Sequence, residues 1–359
     1  MRFIISAVAL IIFTAMPCRA QSELKTDRFL RITPEQAGYS SEKLEKLREL
    51  LASRGSQSMI LLHEGKVFFE WGDIRKKILV HSMRKALLSS LYGIYVERGI
   101  IDIQQNLGQL NIDDAPDRLN ETEKSTRLID VLKSRSGVYH LAAAEAESME
   151  NSRPARGQHP PGAHFYYNNW DFNVAGHVLE TASGMRIYDT FHQLIAQPLG
   201  MLDYHNKIVT TPGDPDADGF YQFEPERSRF PAYHFRMSAH DLALYGQLML
   251  ERGRWQGRQL VPATWIDSST QPYSITEAKY GLAYGMLWDV ILPPNAETPP
   301  SFFHTGVGVH MLGIYPQHKL VMVHRVDTES AYRFHDGDLY KVIRLMHEAR
   351  LGGKVVDGQ

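Results

Sequence analysis

The chain has 359 residues, 43% of them hydrophobic, with 39 Lys and Arg against 41 Asp and Glu and a formal net charge of -2 at pH 7. It has no basic excess and no Lys/Arg block, so nothing in it asks for nucleic acid or an anionic membrane surface. Its single cysteine, Cys18, lies in a segment expected to be removed, which excludes disulfides, zinc-thiolate sites and a cysteine nucleophile together.

In chain order, Met1-Arg2, an apolar run from Phe3 to Met16 and a small residue at Ala20 read as a secretory signal peptide over residues 1–20, cleaved after Ala20. Pro17 just ahead of Cys18 fits the alternative of a lipoprotein signal poorly. About 339 residues remain, enough for a large core. No later segment is apolar for long enough to span a bilayer, so the expected product is a secreted or periplasmic catalytic domain over 21–359. Leu44, Leu47 and Leu51 share one helical face behind Ser40 as N-cap, and Gly55 ends that helix. Met59–Leu62 and Val67–Trp71 read as a hairpin around a Gly-containing turn.

Ser82 then opens a helix continued by Ala86, Leu87, Leu88, Leu91, Ile94 and Tyr95. Further helical segments fall at Arg127–Ser134, Trp170–Ser183 and Ile187–Gln197, so an all-helical insertion is expected over about 82–210. Asp214-x-Asp216-x-Asp218-Gly219 imitates the start of a calcium loop, but Pro225 stands where the twelfth-position Glu belongs, which leaves a solvated acidic turn. Met237–Glu251 is an amphipathic helix with Ser238 as cap and Asp241 in its first turn. Strands are expected at Tyr280–Trp288, Val307–Tyr315 and Leu320–Val326, and a closing helix at Leu339–Leu351. The order predicts an α+β fold, an α/β sandwich: an antiparallel sheet formed by about 40–80 and 220–351, its first and last strands adjacent, flanked by the N- and C-terminal helices.

Three clusters carry chemistry. Ser82-Met-Arg-Lys85 places a hydroxyl and an amine one helical turn apart, where exposed N–H groups favour developing negative charge. Ser-x-x-Lys also occurs at Ser22–Lys25 and Ser40–Lys43, so context must select among the three. The second cluster is Pro161-Gly-Ala-His-Phe-Tyr-Tyr167-Asn168-Asn169-Trp170, and the third is His304-Thr305-Gly306-Val307 entering a strand. Tyr-x-Asn recurs at Tyr204–Asn206; the ordered triple is the discriminating feature. No Gly-x-Ser-x-Gly, His-Glu-x-x-His, Gly-x-x-x-x-Gly-Lys or dinucleotide fingerprint is present.

This ordered set resembles the serine β-lactamase and penicillin-binding-protein superfamily, in its class C-like branch of esterases, D-peptidases and β-lactamases. Lys133-Ser-Arg-Ser-Gly-Val138, Pro198-Leu-Gly-Met201 and Asp241-Leu-Ala with Gly253-x-Trp-x-Gly257 extend the likeness over most of the chain. The resemblance implies a Ser82 nucleophile, Lys85 and Tyr167 moving protons, and an oxyanion hole from the N–H groups of Ser82 and Val307. Lys85 must be neutral part of the time, which burial and a neighbouring cation favour. Tyr167 would act as phenolate or as relay. Asn169, His304, Thr305 and Gly306 would contact substrate, with Tyr139, His140, Tyr166 and Trp170 as pocket walls; His140 fits a structural role equally well.

His304 stands where penicillin-active members carry lysine, so carboxylate recognition weakens and esters or amides gain. No metal or organic cofactor is expected, and the partner is a small ester, amide or peptide-like substrate. Two rival readings are a β-lactamase or D-Ala-D-Ala carboxypeptidase, and a catalytically silent cell-wall or peptide-binding protein.

Overall fold

The computed structural model describes residues 29–210 and 213–352; the signal-peptide reading and Cys18 lie outside them. Helix α1 (Ser41–Arg54) starts where Ser40 Oγ accepts the Lys43 N–H and stops at Gly55, whose φ of 73° is left-handed. The hairpin β1 (Ser58–His63) and β2 (Lys66–Gly72) follows, then α2 (Arg84–Glu97), α3 (Asn169–Ser183) and α4 (Ala239–Leu250). Strands β3 (Ser274–Glu277), β4 (Leu282–Tyr284), β5 (Asp289–Ile291), β6 (Ser301–Gly306), β7 (His310–Tyr315) and β8 (Leu320–Arg325) precede α5 (Asp336–Glu348).

The eight strands form one antiparallel sheet in the order β2-β1-β8-β7-β6-β5-β4-β3. The first hairpin does meet the last strand: Met59 lies opposite His324 and Leu61 opposite Met322. Alternation divides the buried side chains between two cores. Met59, Leu61 and Met322 pack with Leu44, Leu47 and Leu51 of α1 and Val342 and Met346 of α5. Ile60, Leu62, Val321 and Val323 face the other way, into the larger core with α2 and α4. Helix α4 lies close on that face; a Cβ on Gly246 would sit 2.5 Å from Val321 Cγ1.

The segments flanking the expected insertion build a smaller sheet as well, which takes only Ile208–Val209 from the insertion itself. This second sheet joins Ile78–Leu79, Ala232–Met237, Gly219–Gln222 and Ile208–Val209 in that order. Two of these strands are only two residues long, and Ala232–Met237 is buried at every position, so no alternating pattern announces it. Arg325, fully buried, ties this sheet to the large one: its guanidinium donates to the carbonyls of Met237 (2.8 Å), Ile78 (2.9 Å) and Leu79 (2.8 Å), directly upstream of Ser82.

Three other expectations are corrected. The Tyr280–Trp288 run is broken after Tyr284 by a turn in which Gly285 N–H donates to Trp288 O (2.8 Å), so it supplies one strand of a hairpin with β5. His304-Thr305-Gly306 ends a strand instead of entering one, and Val307–Val309 form the turn to β7. Asp218 is fully buried and accepts from the N–H of His205 and Lys207 and from Lys77 Nζ (2.7 Å), so it is not part of a solvated turn.

Asp241 does more than cap α4. Its N–H is held by Ser238 Oγ, as the sequence predicts, while its buried carboxylate accepts the N–H groups of Leu202, Asp203 and Tyr204. Asp241→Ala leaves three backbone donors without an acceptor, and denaturant unfolding should show a loss of about 3 kcal/mol or more.

Candidate active site

Ser82 sits in a single 3-10 turn, His81–Met83, that leads into α2. The turn begins with His81 in the left-handed region (φ 48°), a conformation that histidine tolerates better than branched residues. His81 is held there by Thr328 Oγ1 at 2.7 Å, and Val80 N–H donates to Phe235 O at 3.0 Å. The nucleophile candidate is thus fixed from the small sheet and from the turn that follows β8.

Lys85, one turn on, donates from Nζ to Ser82 Oγ at 2.8 Å. Ser82 keeps intermediate exposure, whereas Lys85 is fully buried. Its ammonium faces the rings of Phe172 (4.3 Å) and Tyr167 (4.7 Å). Burial, reinforced by the Arg84 guanidinium and opposed by Asp289, holds the Lys85 amine well below the ordinary lysine value. Arg84 is the neighbouring cation that the chemistry asked for.

Tyr167 is half-buried between Phe172 and Tyr284, with ring centroids at 4.8 and 5.9 Å. Burial and the Asp289 carboxylate push its phenol up beyond the ordinary tyrosine range, against the pull of the Ser82 hydroxyl. The phenol is thus held in its neutral form. Asn169, the first residue of α3, donates from Nδ2 to Ala144 O, and its buried Oδ1 has no partner among the described residues. Tyr139 and Tyr166 pack edge-on at 5.8 Å; Tyr166 donates to Met149 O (2.7 Å), and the buried Tyr139 hydroxyl has no partner.

The end of β6 meets the Ser82 turn. A Cβ on Gly306 would stand 2.8 Å from Val80 O and 3.4 Å from Ser82 N, so only glycine lets the strand approach this closely. Val307 follows, 54% exposed, in a turn closed by Val309 N–H on Gly306 O (2.8 Å). Neither the Ser82 N–H nor the Val307 N–H meets an acceptor among the described residues. Both are free main-chain donors near the serine hydroxyl, the kind of group that an oxyanion hole is built from.

His304 is buried, and its Nδ1 donates to Thr305 O at 2.8 Å, leaving Nε2 as an unpartnered acceptor. Burial and the charge of Lys85 hold its pKa down to about 3, so it is neutral. Asp289 Oδ2 is 3.8 Å from the same Nδ1. Its side chain keeps about 24% of its surface, and burial pushes its carboxyl up to about 7 against the pull of Lys85.

A family model described as Beta-lactamase matches residues 46–342, most of the chain. The chain belongs to the beta-lactamase family. Solved structures of this family's fold include one assigned as a 6-aminohexanoate-dimer hydrolase from Bacillus anthracis, 16% identical with a TM-score of 0.64 over 92% of this chain and 90% of that one. A penicillin-binding protein homologue from Pyrococcus abyssi is 16% identical with a TM-score of 0.60 over 85% and 77%, and a class C beta-lactamase is 13% identical with a TM-score of 0.60 over 88% and 98%. No curated protein matches the chain. At such identities the likeness shows a shared fold, that of the beta-lactamase-type serine hydrolases.

Against the beta-lactamase frame, two wall residues move. Trp170 is fully buried, its Nε1 donating to Asp114 Oδ2 at 2.7 Å, and packs in the core. His140 is enclosed between Asp114 (3.6 Å) and Glu123 (3.4 Å), edge-on to Trp170, and is buried with them. Arg84 and Asp289 flank the beta-lactamase motifs and were not anticipated. Arg84 was visible as the residue beside Lys85, while no motif marks Asp289. A groove of about 580 Å³ opens beside Thr305 and Asp289, walled by Tyr280, Leu282, Ile291, Phe303, Leu339 and Tyr340, with no lysine or arginine in its lining.

Proposed function

We propose that this member of the beta-lactamase family is a secreted serine hydrolase that cleaves ester or amide bonds through an acyl-enzyme on Ser82. The observation that carries the reading is the 2.8 Å contact between Ser82 Oγ and a lysine amine that burial disfavours as a cation. Ser82 Oγ attacks the carbonyl while its proton passes to Lys85 Nζ. The carbonyl oxygen takes the electron pair against the N–H groups of Ser82 and Val307. Tyr167 then relays a proton to the departing alcohol or amine, and water releases the acid from Ser82.

One feature supports an uncharged substrate: His304, neutral and buried, stands where penicillin-active relatives carry a cation. Export rests on the N-terminal pattern alone.

Intact-mass measurement across p-nitrophenyl esters, D-amino-acid amides and β-lactams tests the reading. A covalent adduct from the esters or amides is expected. Preferential acylation and fast turnover by a β-lactam would transfer the protein to the β-lactamase reading. Binding of muropeptides with no adduct from any class would make it a silent binding protein.

A further inference from the structure

The described residues contain one buried cation beside the reacting groups that no carboxylate neutralises. Arg84 is 3% exposed, makes no ion pair, and has no hydrogen-bond partner for its buried Nε and Nη2. Its guanidinium carbon stands 5.2 Å from the centroid of Tyr233, whose ring is itself pressed against Gly176 of α3. Enclosing an uncompensated guanidinium is costly, and a well-packed apolar side chain is commonly more stable in such a place. The position therefore works against stability, which points to a task in the site.

That task follows from what surrounds Lys85. Tyr167 faces it from the loop before α3, Asp289 and His304 from the large sheet, His234 from the small one, and His81 from its own turn, while Tyr233 lies against Arg84. Asp289 is the only carboxylate among them, and it favours the ammonium form. His304, His81 and His234 are all held neutral by burial, so none of them opposes it. Where Lys-Thr-Gly relatives have a strand cation, this chain has none. The positive charge has moved to the helix.

We propose that Arg84 is an electrostatic positioning residue: its buried, counterion-free guanidinium keeps the Lys85 amine unprotonated, and so able to take the Ser82 proton. This rests on the acyl-enzyme reading above. In the step concerned, the Ser82 O–H bond breaks, its proton joins the lone pair of Lys85 Nζ, and Oγ bonds to the substrate carbonyl. A cation nearby disfavours a second positive charge before the reaction and drives the proton onward to the leaving group after it.

The test compares wild type, Arg84→Met and Arg84→Lys by the rate of fluorophosphonate labelling between about pH 5 and 10. Arg84→Met is expected to label about tenfold more slowly near neutral pH and to recover most of that rate above about pH 9. Arg84→Lys, which keeps the charge, should retain the wild-type profile, and the melting temperature of Arg84→Met should equal or exceed that of wild type. A profile for Arg84→Met that overlies wild type, that is lowered equally at every pH, or that changes only for carboxylate-bearing substrates overturns the proposal. Lysine 13Cε NMR, with Lys85 assigned by its loss in Lys85→Met, separates this from the acyl-enzyme reading. If wild type does not label at all, the acyl-enzyme reading fails. The NMR titration still decides the role of Arg84: a higher Lys85 midpoint in Arg84→Met sustains it, and an unchanged midpoint removes it.

Discussion

Ser82→Ala is expected to lower acylation by at least about 10⁴-fold and to abolish the covalent adduct, with no change in fold. The side chain lost is small and keeps intermediate exposure, its turn is fixed by main-chain bonds and by His81, and Lys85 loses one hydrogen-bond acceptor. The melting temperature should therefore move little. Phosphonate labelling and intact mass provide the readout, since both report the bond to Oγ directly. Persistent labelling of Ser82→Ala would place the nucleophile elsewhere and remove the chemical reading of all three motifs.

Lys85→Met should separate catalysis from stability. Acylation is expected to fall by about 10³-fold, within the range for loss of a general base, and raising the pH should not restore it. Stability should move the other way. The folded protein holds the Lys85 amine below its ordinary value, so between that depressed folded value and the unfolded one the unfolded chain binds the additional proton. Wild-type stability therefore rises with pH across that window, and its penalty is largest on the acid side. Methionine removes the ionisation, so urea unfolding should show Lys85→Met gaining most over wild type at neutral pH and least near pH 10. An equal gain at every pH would mean that the Lys85 amine binds its proton equally in the folded and unfolded states, and that packing alone is at work.

The parts of the fold that were legible share strong local signals. Helix α1 was marked by three leucines on one face, Ser40 before it and Gly55 after it; α4 was marked by Ser238 and Asp241; the first hairpin was marked by a glycine turn between β-rich runs. The small sheet gave no such signal, because two-residue strands have no period and a strand buried on both faces reads as a plain apolar run. Within the site, Ser82 and Lys85 were legible as a helical pair, whereas the close approach to the serine turn of Gly306, expected only at the substrate, is a long-range contact without a local signal. Trp170 was misplaced because nearness in sequence is not a shared direction: it lies in the first turn of α3, where successive side chains diverge by a third of a turn, and it leaves Tyr167 for Asp114. Asp289 reaches the site only through the pairing of β5 with β6, a long-range fact that no local pattern encodes.

The grip of Arg325 on the carbonyls of Ile78 and Leu79 also sets an order in time. The serine turn is synthesised first, and the guanidinium that anchors the strand ahead of it, like the β6 glycine that abuts it, follows more than 200 residues later. A chain that bears Ser82 and Lys85 but stops before those later residues has neither the Arg325 anchor nor Gly306 against its serine turn. The proposed reactive centre is therefore assembled only once those later residues are in place, and fragments that stop short of residue 325 are expected to be chemically inert.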